Sequence, residues 1–238
     1  MKSPATIEVT FHGVAFDQKA AKQRADYNVA LRAVQEGTPN EIALKSMKHL
    51  ASEKFPPGMY LYGIVLEEGR GVTADPNQGF HLIQESSDKK YGPALYEIAV
   101  ARLQGKHLDK DPDKGMELMQ TAAKLGSQAA QLFLGQAYEK GDGIPLDLQK
   151  SRQYFRLCAA AGDSICQFRL GKSLLEHSDS PARDYVQSIA WLQLASDSGN
   201  KDAATILEQQ QAAPLTSAQV ASAKRLKARL VHQPLVRT

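Results

Sequence analysis

Few residues of this chain have the type and spacing that catalysis requires. Ser86-Ser87-Asp88-Lys89 matches S-x-x-K, in which a lysine one helical turn after a serine can assist acyl transfer. The supporting motifs of such enzymes are missing, and Ser86 falls at a position where a helix is expected to pack. A serine acyl-enzyme or penicillin-binding protein that uses Ser86 and Lys89 is therefore the alternative interpretation.

Metal and thiol chemistry have even less support. The six histidines show no metal-ligand spacing with one another or with the two cysteines. Cys158 and Cys166 both fall at positions that we expect to be interior, where a thiol is inert. The sequence thus predicts no metal site and no cofactor, and we expect the protein not to be an enzyme.

The elements that position these residues are pairs of short helices, and residues 130–162 show one pair clearly. Gly141 and Gly143 permit the positive φ angles of a tight helix exit, and Asp147 is suited to cap the next helix. Apolar residues return at helical spacing on both sides of this turn. The residues assigned to the buried faces are Ala130, Leu134, Gly135 and Tyr138 in the first helix and Tyr154, Cys158 and Ala159 in the second.

The same residue types return along most of the chain at an interval of about 36 residues. The small residues that open each first helix are Gly58, Ala94, Ala130, Cys166 and Ala203. The turn glycines are Gly69, Gly71, Gly105, Gly141 and Gly143, and the capping acids are Asp75, Asp111, Asp147 and Asp184. The large residues of the second helix are Leu82, Leu118, Tyr154 and Trp191, and the closing glycines are Gly126, Gly162 and Gly199. So many classes in one phase predict a tandem repeat.

This repeat, A-x3-L-G-x2-Y-x2-G-x-G-V-x2-D-x3-A-x2-W-x3-A-A-x2-G, resembles the Sel1-like repeat, a relative of the tetratricopeptide repeat. The resemblance covers roughly residues 58–210, as four copies and a fifth first helix. It implies an all-α fold, a right-handed α-solenoid of stacked antiparallel helix pairs. The chain departs from the pattern at Leu66, Arg102 and Leu174, where tyrosine is usual, at His107, where the second turn glycine is missing, and in the rebuilt turn at 177–181.

The resemblance also bears on the two cysteines. Cys158 and Cys166 take places where the repeat usually has alanine because two helices approach closely, and their spacing is similar to that of cysteine-rich secreted members. This implies a disulfide, with two reduced cysteines as the alternative. A disulfide predicts a periplasmic or secreted protein, and reduced cysteines predict a cytoplasmic one. Residues 1–4 lead into no apolar signal core.

Both ends of the chain depart from the repeat. In residues 1–16, Ile7, Val9 and Phe11 alternate with polar residues, which predicts an extended N-terminal arm, packed or disordered, or a strand that joins a partner's sheet. Residues 17–57 predict a divergent N-terminal helical cap, and residues 211–238 a C-terminal capping helix and tail. The last helix has a basic outer face, interpreted as solvated surface or as a patch for an anionic partner.

The composition favours protein partners over other classes. With 238 residues, 42% of them hydrophobic, and a net charge of +3, nothing argues for nucleic acid, and no apolar run approaches a membrane span. The resemblance implies bacterial adaptor and regulatory roles, and some relatives act as periplasmic immunity proteins. We therefore expect a monomeric scaffold or inhibitor that binds another protein or peptide, with an immunity or regulatory role toward a secreted bacterial effector as the finer expectation.

The resemblance further implies that the first helix of each pair lines a concave binding face. One repeat position holds a row of large side chains, which would bind a partner or pack neighbouring helices together. The expected partner-binding residues are Tyr60, Ile64 and Glu67 in the first copy, Tyr96, Val100 and Gln104 in the second, Leu132, Gln136 and Glu139 in the third, and Phe168 and Lys172 in the fourth.

Overall fold

The computed structural model describes residues 18–177, 181–210 and 216–232, and every regular element in those ranges is an α-helix. The prediction of an all-α fold is thereby confirmed. The predicted N-terminal arm, residues 1–16, lies outside the described residues, as does most of the rebuilt turn at 177–181. No helix in the described ranges is both long enough and apolar enough to cross a membrane.

The chain divides into two compact units, Met1–Lys89 and Lys90–Thr238. The helices of the first unit are α1 (Gln18–Glu36), α2 (Glu41–Ser52), α3 (Pro56–Glu68) and α4 (Pro76–Asp88). Those of the second unit are α5 (Gly92–Gln104), α6 (Pro112–Lys124), α7 (Gln128–Lys140), α8 (Leu148–Ala160), α9 (Ser164–Glu176), α10 (Pro181–Asp197), α11 (Lys201–Gln210) and α12 (Ser217–His232).

Capping aspartates fix where most second helices begin. The side chains of Asp75, Asp111 and Asp147 accept hydrogen bonds from the backbone N–H groups three residues later, at 2.9 to 3.0 Å. These bonds satisfy amides that a helix leaves without a partner at its first turn. The caps predicted at these three aspartates are confirmed.

The cap predicted at Asp184 is wrong. Helix α10 begins at Pro181, so Asp184 lies inside its first turn and not before it. Proline suits the first position of a helix, because its fixed φ is helical and its missing N–H is not needed there. The Asp184 carboxylate is only 3% exposed and accepts a hydrogen bond from Nε of Arg183 at 3.1 Å.

Glycines in the left-handed region end three of the first helices. Gly69, Gly105 and Gly141 have φ angles of 66°, 76° and 72°, which a side chain would strain. His107, which stands where the second turn glycine is missing, has a φ of 62° and so takes the same left-handed conformation. The departure from the repeat therefore changes the residue and keeps the shape of the turn.

In the first three copies the core of the helix pair is centred one residue later than the sequence predicts, whereas in the fourth copy the expected residue, Trp191, is itself buried. Leu82, Leu118 and Tyr154 are only partly buried, whereas the residue that follows each of them is fully buried. Those fully buried residues, with their counterpart in the fourth copy, are Ile83, Met119, Phe155 and Leu192. One residue turns a helix by about 100°, so the next position points at the first helix of the same pair.

The terminal helices pack on their neighbours in the same way. In the first unit, Ala30 of α1 and Met47 and Leu50 of α2 are fully buried in one cluster. In the second unit, Ala223 of α12 is buried, and Lys227 pairs with Asp197 of α10 at 2.5 Å. The boundaries proposed for the N- and C-terminal caps stay predictions.

Candidate functional site

Three large side chains occupy the same repeat position in the second unit, and we call them the first-helix row: Tyr96 of α5, Leu132 of α7 and Phe168 of α9. Each is half-buried. Tyr96 packs against a core cluster that includes Ala99 and Met119, and Leu132 and Phe168 pack against clusters of their own. Each row residue is thus held in place by the core while part of its surface stays open to solvent.

The first unit carries its own set of expected contact residues on α3. Tyr60, Ile64 and Glu67 are all half-buried, and Tyr60 packs against the cluster formed by α1, α2 and α3. Tyr60 therefore has the same combination of packing and accessibility as the row residues of the second unit.

The polar residues expected on this face differ in their exposure and in whether they form an ion pair. Glu139 accepts a hydrogen bond from Nη1 of Arg169 at 3.0 Å, which links α7 to α9, and Lys172 lies 3.6 Å from Glu176 on the same helix. Sequence reasoning missed Arg169 because its position lies outside those that the resemblance assigns to the concave face. Such partly exposed pairs contribute little to stability, so a partner could rearrange them at small cost. The remaining expected residues are half-buried at Val100 and Gln136 and exposed at Gln104.

The phenol of Tyr96 is perturbed by its surroundings. Burial raises its pKa above the ordinary tyrosine value, and the negative charge of the adjacent Glu97 raises it further. The hydroxyl group therefore stays protonated well beyond neutral pH and can donate a hydrogen bond beside the apolar row.

The two cysteines lie where α8 and α9 meet. Their sulfur atoms are 2.00 Å apart and their Cα atoms 5.8 Å apart, and both side chains are fully buried. The counterpart positions of the other copies hold small residues that are also fully buried: Ser86, Ala122 and Ala195 for Cys158, and Gly58, Ala94, Ala130 and Ala203 for Cys166. Neither sulfur is placed to attack a substrate from solvent.

The serine of the S-x-x-K motif is also a packing residue. Ser86 is 0% exposed, and its hydroxyl donates a hydrogen bond to the backbone oxygen of Pro56 at 2.8 Å. Lys89 lies on the surface just after α4. A nucleophile must meet its substrate, so this burial disfavours the acyl-enzyme alternative.

Within the described residues, no three His, Cys, Asp or Glu side chains are grouped so that they could hold a metal ion.

The remaining candidate feature is the basic face of α12. Lys224, Arg225 and Arg229 are exposed, whereas Lys227 forms an ion pair with Asp197. The basic face of this helix is therefore solvated and is partly neutralised from within the chain.

Antiparallel helix pairs that repeat with the same caps, turns and small contact residues define an α-solenoid repeat protein. The sequence pattern of the Sel1 repeat family matches four consecutive segments of the chain, residues 56–91, 92–127, 128–163 and 164–200. The chain belongs to the Sel1 repeat family. No curated protein matches the sequence closely enough to count as a relative.

Solved structures with the same fold come from several bacteria. A Sel1 repeat protein from Oxalobacter formigenes is 26% identical, with a TM-score of 0.61 over 71% of this chain and 49% of its own. This chain thus spans about half the length of that protein. Immunity proteins Pa5087 and PA5088 from Pseudomonas aeruginosa are 15% and 17% identical, with TM-scores of 0.58 and 0.57, and cover 92% and 95% of this chain and 82% and 86% of their own. At such identities the likeness concerns the fold.

Proposed function

We propose that this protein is a non-enzymatic scaffold or inhibitor that binds another protein through the face formed by its first helices. The observation that carries the proposal is the first-helix row, whose members are anchored in the core and still accessible. Large side chains held in this way bind at a low entropic cost, because their rotamers are already fixed. Membership of the Sel1 repeat family supports the same function.

The finer proposal is that the partner is a secreted bacterial effector, which this protein blocks as a monomeric immunity or regulatory protein. Two of the similar structures are immunity proteins, which motivates this assignment. The sulfur atoms of Cys158 and Cys166 lie at bonding distance, which supports residence in an oxidising compartment such as the periplasm.

The binding proposal is tested by affinity capture from the native host followed by quantitative mass spectrometry. Tyr96→Ala and Phe168→Ala should each reduce the captured partner at least tenfold, because truncating one of the few central anchors that dominate an interface costs about 2 kcal/mol or more. Ile165→Ala is the matched control, since Ile165 is exposed on α9 and lies outside the row. Equal capture by the row variants and the wild type would refute the proposed binding face.

The compartment is tested separately by counting free thiols in the protein recovered from its host, denatured without reductant. We expect no free thiol, since both cysteines would be in the disulfide. Two free thiols would contradict export while leaving the binding face untouched.

A further inference from the structure

A polar cavity of about 310 Å³ lies between α8, α9 and α10 of the second unit. Its charged lining consists of Arg152, Arg156, Arg183 and Asp184, and glutamines from α8 and α10 complete most of the wall. Pockets that hold small ligands begin at roughly 300 Å³. The cavity is therefore large enough for a small anion with its remaining water.

Two of these arginines depart from the repeat. At the position of Arg152, the other copies hold the apolar residues Phe80, Met116 and Ile189. At the position of Arg156, they all hold glutamine, at Gln84, Gln120 and Gln193. The helix pair folds without these arginines in the other copies, so the repeat architecture does not explain their presence in the third.

Arg152 is built rigidly into this cavity. It is 5% exposed, its Nε donates a hydrogen bond to Oγ of Ser173 at 3.1 Å, and its Nη2 donates to the backbone oxygens of Ser173 and His177. These oxygens belong to the C-terminal end of α9, which lacks the capping glycine of the other first helices. The guanidinium thus serves as a cap while its positive charge remains in the cavity wall.

Positive charge predominates among the described residues that line the cavity. They include three arginines and one carboxylate, that of Asp184, which accepts a hydrogen bond from Nε of Arg183. Arg156 and Arg183 are exposed residues at the mouth of the cavity. Partial burial lowers the pKa of the Arg156 guanidinium, and the neighbouring positive charges of Arg152 and Arg183 lower it further, whereas Asp184 opposes them. The arginines therefore repel one another, and an anion placed among them would relieve that repulsion.

We propose that this cavity binds a small oxyanion, a phosphate or a carboxylate, through the guanidinium groups of Arg156 and Arg183, with Arg152 adding charge from behind. Guanidinium groups bind both kinds of oxyanion with paired N–H donors, so one site serves either chemistry. The cavity is formed mainly by second helices, whereas the proposed protein partner contacts first helices. The two proposals can therefore fail independently.

The test is an NMR titration of the full chain with arginine side-chain Nε–H groups observed. Sodium phosphate and sodium glutarate are added in separate series, each against sodium chloride at matched ionic strength. We expect saturable shifts of the Arg156 and Arg183 signals with at least one of the two anions. Saturation by phosphate only, by glutarate only or by both identifies the preferred oxyanion.

Arg156→Gln is the decisive variant, because it restores the residue found in the other copies and so should preserve the fold. It should weaken binding about tenfold, the loss expected when one charge-assisted contact is removed. Arg183→Gln should weaken binding similarly, and Arg225→Gln on α12 should leave it unchanged. Shifts that follow ionic strength without saturating, or equal affinity in Arg156→Gln and the wild type, would overturn the proposal.

Discussion

The second and third copies of the repeat, residues 92–127 and 128–163, show how one architecture carries different contents. Both begin their second helix with an aspartate cap and end their first helix with a left-handed glycine. Where the second copy pairs Ala99 with Met119 in one core cluster, the third places Gly135 against Phe155. The larger side chain on one helix is matched by the smaller residue on the other, so the volume added by one is offset by the other.

Other differences between the copies add features and keep the helix pair. Ala122 and Ala130, at the junction of the second and third copies, correspond to Cys158 and Cys166 at the junction of the third and fourth. Met116 and Gln120 of the second copy correspond to Arg152 and Arg156 of the third, which line the cavity. Shared positions thus hold the fold, while the positions that differ introduce a covalent link and a charged cavity. Three sets of substitutions, in these two copies and at the start of the fourth, test that division.

The largest effect is expected at the cysteines. Replacing both with alanine, as in Cys158→Ala with Cys166→Ala, reproduces the contact of the second copy and removes only the link. The free energy of unfolding should fall by about 2.5 kcal/mol, the value expected for closing so short a loop in the unfolded chain. Urea denaturation with and without reductant measures this loss. A wild type whose stability does not respond to reductant would contradict it.

A smaller loss is expected for Gly135→Ala. An added Cβ would lie 2.4 Å from Cε1 of the Phe155 ring, and because this ring is fully buried, relieving the overlap requires packed atoms to shift. Overpacking costs up to about 3 kcal/mol, and the better helix propensity of alanine offsets about 1 kcal/mol, so the unfolding free energy should fall by about 2 kcal/mol.

The control for Gly135→Ala introduces the side chains that the second copy has at these two positions. In a Phe155→Met background, Gly135→Ala recreates the pair Ala99 and Met119, and its cost should drop below about 0.5 kcal/mol. A double-mutant cycle by chemical denaturation measures the difference. The same cost in both backgrounds would show that the ring does not set the limit on helix spacing.

The smallest effect concerns the turns. His107 has a left-handed φ of 62°, which costs a residue with a side chain about 1 kcal/mol. His107→Gly should therefore raise the unfolding free energy by up to that amount. Gly143→Ala should lower it by about as much, because its new Cβ meets no atom within 4 Å and only the backbone is strained. Thermal unfolding of both variants measures these two changes in stability. If both variants raise or both lower the melting temperature, the interpretation is contradicted.

Much of the fold could be predicted because it repeats. Positive-φ glycines and capping aspartates have short-range causes, and their return at a fixed interval indicated where helices end at Gly69, Gly105 and Gly141. The sequence places the core position one residue early, at Tyr154, because two large residues are adjacent there and only the orientation of the helix distinguishes Tyr154 from Phe155.

The cavity could not be predicted by reading each copy alone. Arginine is rarely buried, so the sequence does not predict Arg152 as an interior residue, and the spacing predicts Asp184 as a cap, which the earlier start of α10 contradicts. The one signal in the sequence is that the counterparts of Arg152 in the other copies are apolar. Only the structure brings Arg152 and Asp184 to the same cavity.

The central claim is that a protein partner binds the first-helix row, and site-specific photo-crosslinking in the native host tests it most directly. A benzoylphenylalanine replaces Leu132 in one variant and, as the control, Leu157, which is exposed on the second helix α8, in another. After irradiation we predict a discrete covalent adduct from position 132 and none from position 157. An adduct from position 157 alone, or none from position 132, would contradict the claim.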